Sequence, residues 1–163
     1  MPLILPSLQS EMVSIFEKGP AGNPSPQVVG IKTGQAYFNY CSSIINVGGG
    51  SFNAMPGSSA LGNEIGNILS STSPASALTA QKLAKAFNDC LSTLITTFQT
   101  TIVTTTGLGV LISELVDVFG SPNPSTTLFC MKFSKALNNF TSAAIITGVI
   151  PGTPPVPFTG PPS

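Results

Sequence analysis

The sequence predicts a mainly α-helical chain: three tandem helix–loop–helix units of about 50 residues, joined by extended connectors rich in Gly, Thr and Pro. Three observations predict it. First, "SEMVSIF" (10–16) returns as "NEIGNIL" (63–69) and "SELVDVF" (113–119), with Glu11, Glu64 and Glu114 spaced 53 and 50 residues apart. Second, "FNYCSS" from Phe38 returns as "FNDCLS" from Phe87 and "LNNFTS" from Leu137, with Asn39, Asn88 and Asn138 spaced 49 and 50 apart. Third, apolar residues in these stretches fall at i, i+3 and i+4, the rhythm of a helix with one buried face. Periods of this size mark repeat architectures. Between the second and third copies the 50-residue register also aligns Pro74 with Pro124, Leu78 with Leu128, Lys82 with Lys132, Lys85 with Lys135 and Ile95 with Ile145.

Each unit opens with a short helix whose apolar face is Met12, Ile15 and Phe16, then Ile65, Ile68 and Leu69, then Leu115, Val118 and Phe119. Loops of Pro, Ser, Asn and Gly follow, where proline and small polar residues stop one helix and cap the next. The first copy spans 28 residues from Glu to Asn and the others 24; the extra four fall in "EKGPAGNPSPQ". The second helix of a unit is longer, about Thr79–Phe98 in the middle copy and Leu128–Ile146 in the third. In the middle copy Leu83, Phe87, Leu91 and Leu94 form the stripe, with Lys82, Lys85 and Asp89 opposite. The units close on "NVGGGSFNAMPG", "TTIVTTTGLG" and "GVIPGTPPVPFTGPPS"; Thr and Val runs favour strand geometry. The expected units are 1–56, 57–106 and 107–150. Residues 151–163 are expected to form a polyproline-like arm, free or laid on a partner, whose removal spares the fold.

Charged residues are 7% of the chain, against roughly 25% in a typical soluble domain. The basic residues are all lysine, His and Trp are absent, and the net charge is zero. So few charges imply a surface covered by partners or by lipid. A spanning helix needs about 20 predominantly apolar residues. The charge-free stretch Cys90–Ser113 is instead interleaved with Thr, Gln, Ser and Gly. The N-terminal "MPLILPSLQSE" lacks the basic n-region of a secretory signal. Cys41, Cys90 and Cys130 have no metal-type spacing and no histidine to join them, so they read as buried free thiols.

Chemistry finds little to work with. General acid–base catalysis needs a group titrating near neutrality or a matched carboxylate pair. The acids are Glu11, Glu17, Glu64, Asp89, Glu114 and Asp117. Glu11, Glu64 and Glu114 are one position repeated, explained by a carboxylate at a helix start. Nothing activates the serines and threonines as nucleophiles. Lys82 with Lys85, and Lys132 with Lys135, read as solvated helix faces; the functional alternative is contact with an acidic partner. Six lysines against six acids cannot neutralise a nucleic-acid backbone. The glycines at Gly48 lack the phosphate-loop form, and the "NFT" triplet at Asn139 falls inside an expected helix. No catalytic, cofactor-binding or metal-binding residue is expected.

The repeated "S-x-x-x-x-x-F" stretches with "GPAGNPSPQ" and "GSPNPS", the closing "GTPPVPFTGPPS" and the low charge together resemble small virion structural proteins of tailed bacteriophages, particularly those with contractile tails. The resemblance implies a non-enzymatic structural part of a virion, in the tail, baseplate or neck, assembled in the host cytoplasm. Its partners would be other virion proteins and copies of itself, with no nucleic acid. The alternatives are a membrane-associated helical protein and a small hydrophobic-ligand carrier.

Overall fold

The computed structural model describes residues 3–20, 22–71, 76–98 and 102–163. These form six helices and five short strands. The helices come in consecutive pairs: α1 (Leu5–Phe16) with α2 (Pro26–Cys41), α3 (Ser58–Ser70) with α4 (Ser76–Leu91), and α5 (Leu108–Gly120) with α6 (Thr126–Ser142). β1 (Phe52–Ala54) follows the first pair, β2 (Ile95–Thr96) and β3 (Ile102–Thr104) the second, and β4 (Ile145–Ile150) and β5 (Val156–Gly160) the third. Each helix packs against its neighbours in the chain, and α6 packs against α1, so the six close into a ring.

Capping fixes several of the boundaries. Ser25 and Ser125 accept from the backbone N–H groups of Val28 and Leu128, at 3.4 and 3.1 Å, as N-caps of α2 and α6. Pro26 stands at the first turn of α2, where its missing N–H removes no intrahelical bond. At the far end of α4, the hydroxyls of Ser92 and Thr93 donate to the carbonyls of Asp89 and Cys90, 2.8 and 2.7 Å away. That ends the helix at Leu91, well short of the expected Phe98. The apolar rhythm does run on through Leu94 and Ile95, but the β-branched Ile95 and Thr96 pair as a strand. For the same reason α6 ends at Ser142, and Ile145 and Ile146 begin β4.

The first helix of each pair starts earlier than "SEMVSIF" and its counterparts suggest, at Leu5, Ser58 and Leu108. Leu108 and Gly109, expected in an extended connector, are helical. Glu11, Glu64 and Glu114 therefore lie in mid-helix. No acidic residue occupies the first turn of α1, α3 or α5, so the helix-start reading of these glutamates is wrong.

Two antiparallel sheets gather where α2, α4 and α6 end. β1 pairs with β2, bringing Ala54 opposite Ile95. β3, β4 and β5 form the second sheet, with Thr104 opposite Ile145 and Gly148 opposite Phe158. Ser163 exchanges backbone hydrogen bonds with Ile45, at 2.8 and 3.0 Å. The tail expected to be a polyproline-like arm is thus a strand within the fold. Phe158 is the reason: its ring packs on Phe98, centroids 6.1 Å apart, and over Gly48, where a β-carbon would stand 2.8 Å from it. Phe158→Ala is expected to destabilise by about 2 kcal/mol in urea unfolding, below the usual range for a buried Phe because this rim site can partly collapse. Deleting the tail would destabilise further rather than spare the fold.

The interior is filled from all three pairs. Tyr37, Phe87 and Phe133, each at most 2% exposed, meet edge to face in the centre, with centroids 4.9 Å (Tyr37–Phe87) and 6.0 Å (Phe87–Phe133) apart. Buried positions recur along the chain. Ala36, Tyr37 and Ile44 of the first pair stand 50 residues before Ala86, Phe87 and Leu94, and those stand 50 before Ala136, Leu137 and Ala144. In the first helices Leu8, Met12 and Ile15 stand 53 residues before Leu61, Ile65 and Ile68, which stand 50 before Leu111, Leu115 and Val118. Burial therefore matches Tyr37, not Phe38, with Phe87, and sets the buried faces of the first pair three residues further apart than in the other pairs, while the loop between its helices, 17–25, is four residues longer than 71–75 and 121–125. Pro74, aligned with Pro124 in sequence, and Thr100 and Thr101 of the Thr/Val run lie outside the described residues.

Candidate functional site

Charge is segregated along the chain and in the fold. Residues 33–63, 90–113 and 136–163 contain no Asp, Glu or Lys. Those segments hold all five strands. The strand end is therefore uncharged, and it exposes Val47, Ile95, Ile102 and Val156, with Ile102 67% accessible. β3 is an edge strand of its sheet, with neither charge nor proline to guard it.

The charges lie instead on the helices and on the loop after α1. In the first pair, the Asn39 side-chain amide donates to Glu11 at 3.4 Å; in the third, Asn139 donates to Glu114 at 2.8 Å. Each bond ties the first helix of a pair to the second. The "NFT" asparagine thus has its amide engaged in α6. The corresponding residue of the second pair is Asp89, which cannot donate to Glu64. It turns to Lys85 of its own helix, and that ion pair holds the Asp89 carboxyl below its ordinary range and raises Lys85. Both side chains are well exposed, so the pair adds little stability.

Between α1 and α2 lies a groove of about 280 Å³, lined by Glu11, Ser14, Ile15, Lys32, Gln35 and Ala36. Between α5 and α6 a groove of about 300 Å³ is lined by Glu114, Asp117, Val118, Lys132, Lys135 and Ala136. Both have an alanine floor, a glutamate on one wall and a lysine on the other. Lys32, Lys82 and Lys132 recur at intervals of 50 residues. The ion pair found among the described residues, Lys85 with Asp89, involves none of these three.

A third groove, of about 390 Å³, runs over the α2–α3 seam, lined by Ile31, Gly34, Phe38, Ser58 and Gly62 among others. Gly34 on α2 and Gly62 on α3 line it, and along the same seam Gly30 meets Gly62 and Gly66, where the two helix backbones touch. A β-carbon on Gly30 would stand 2.3 Å from the amide nitrogen of Gly66 and 2.5 Å from the carbonyl oxygen of Gly62. The signal was present in the sequence as two glycine pairs at i, i+4, the small-xxx-small pattern of close helix approach.

Cys41, Cys90 and Cys130 are free and buried. Burial pushes the Cys90 thiol up to about 12 and Cys130 up to about 11, and raises Cys41 further. Since the thiolate is the reactive form, no thiol is expected to react with a disulfide reagent at pH 8 in the native protein, and all three after denaturation. Among the described residues no group of three or more His, Cys, Asp or Glu could hold a metal ion, and no helix is long and apolar enough to cross a membrane.

Comparison with protein-family models, with curated proteins and with solved structures finds no match.

Proposed function

We propose that this chain is a non-enzymatic structural component of a tailed-bacteriophage particle, in the tail, baseplate or neck, working by burying uncharged surface against neighbouring subunits. The observation that carries this reading is the uncharged strand end, with Ile102, Val47 and Val156 in the open. Exposed apolar surface without charge marks an interaction site, and an unguarded edge such as β3 accepts a further strand. The sequence resemblance to virion proteins supplies the setting.

The architecture proposed with it is one helix-hairpin-and-strand unit written three times and closed on itself. Two features support it. The buried positions recur at the intervals given above. The strand contacts recur too: Ala54 meets Ile95, Thr104 meets Ile145, and Ser163 meets Ile45, each trailing segment reaching the residue that follows a second helix. In this reading residues 151–163 belong to the third unit. One unit alone would leave its apolar face in water, and the ring gives each a neighbour on both sides.

The test is mass spectrometry of purified, washed virions. The protein is expected at a fixed copy number consistent with a closed ring of the particle. Its absence from the particles would end the virion reading.

A further inference from the structure

We propose that Lys32, Lys82 and Lys132 are one contact made three times, to a carboxylate presented by each of three equivalent subunits surrounding the ring. This rests on the threefold reading of the architecture given above.

Few positions are identical in all three pairs, and most have a role within the fold. Leu8, Leu61 and Leu111 are buried, as are Ala36, Ala86 and Ala136. Glu11 and Glu114 hold asparagines across their helix pairs. Ile45, Ile95 and Ile145 meet the trailing strands. Lys32, Lys82 and Lys132 have no such role. Lys32 and Lys82 are exposed and Lys132 half-exposed, and none takes part in the ion pair of the described residues. The neighbouring outer positions have diverged: Ile31, Gln81 and Met131 occupy one, and Gln35, Lys85 and Lys135 another. A lysine kept only for solubility could have become any polar residue.

The grooves say what such a lysine would meet. Lys32 and Lys132 each form one wall of a groove with a small alanine floor, wide enough for a side chain from outside. The opposite wall is a glutamate whose carboxylate already accepts from asparagine. Charge is balanced in each groove, Glu11 against Lys32 and Glu114 with Asp117 against Lys132 and Lys135. A phosphate dianion would bring two further negative charges against the glutamate wall, whereas a carboxylate brings one and accepts the lysine's hydrogen bond. Because the lysines stand on three different sides of a closed ring, no flat partner reaches all of them. The partner encircles the chain with one acidic segment per subunit, as a trimer or a ring whose subunit number is a multiple of three.

Zero-length carbodiimide cross-linking of intact particles, read by mass spectrometry, tests this. Lys32, Lys82 and Lys132 are expected to join the same acidic residue of one protein. Joining three unlike sites, or remaining unjoined, overturns the proposal. In parallel, K32Q/K82Q/K132Q should lose retention in the assembly by about 100-fold, the scale of lost avidity, while its melting curve in isolation stays unchanged. Wild-type retention of that variant also overturns it. If particles lack the protein, the virion reading fails by itself; cross-linking in intact producing cells then decides the threefold contact by the same criteria.

Discussion

Replacing Phe87 by Ala is expected to lower the free energy of unfolding by about 3–5 kcal/mol. Phe87 is fully buried, and its ring meets Tyr37 at 79° and Phe133 at 69°, with centroids 4.9 and 6.0 Å away. Such pairs add about 0.5–1.5 kcal/mol beyond the area they bury. The vacated space has little freedom to shrink, because its walls come from α2, α4 and α6 and the ring holds all three in place. Against a typical total stability of about 5–15 kcal/mol, the loss is severe. Urea unfolding would measure it as a lower midpoint at similar slope. A change under about 1 kcal/mol would contradict a packed centre.

Gly30→Ala is expected to destabilise by about 3 kcal/mol, the upper end of overpacking costs. The sign is the informative part. In an ordinary helix interior this substitution stabilises by roughly 1 kcal/mol, because glycine is a poor helix former. Here the new methyl would fall on backbone atoms of Gly66 and Gly62, at 2.3 and 2.5 Å, and backbone cannot swing aside as a side chain would. The helices would have to part along the whole α2–α3 seam. The seam between α4 and α5 offers a control. Gly30 stands 50 residues before Ala80, so that position already carries the methyl group. Reducing it by Ala80→Gly should cost only the helix propensity of about 1 kcal/mol and a small cavity. Thermal melts of the two variants would show the contrast directly.

The helical class, the pairing of a short helix with a longer one and the core positions of the second helices were legible, because they depend on local periodicity. Leu83, Phe87, Cys90 and Leu91 all turned out to be buried. What could not be read depended on contacts distant in sequence. The 3.6-residue rhythm continues into Leu94 and Ile95, and only the pairing of Ile95 with Ala54 reveals a strand there. Proline in the tail argued for an isolated arm, but Phe158 needed Gly48 and Phe98 to become a core residue. Matching identical letters placed Asn39 with Asn88. The recurrence of buried positions matches it with Asp89, one residue on, because the face a helix residue takes is decided by burial and not by letter. The sequence places Glu11, Glu64 and Glu114 at helix starts; the structure puts all three in mid-helix, and Glu11 and Glu114 tie the first helix of a pair to the second. Of the candidate surface, the match of Lys82 with Lys132 is visible in the sequence; Lys32 is not, because matching Asn39 with Asn88 sets the first copy one residue off, and the grooves form only when two helices meet.

The closure of α6 on α1 has a further consequence. Five of the six helix seams join consecutive helices and can form while the chain is still extended, whereas the last joins its two ends. Until that step, α1 and α6 each present a bare apolar flank to solvent. Another chain caught at the same stage presents the matching pair of flanks. At high concentration the last seam can then form between molecules instead of within one, giving exchanged dimers that keep every native contact. Refolding yield should therefore fall with protein concentration, even though nothing in the finished ring is out of place.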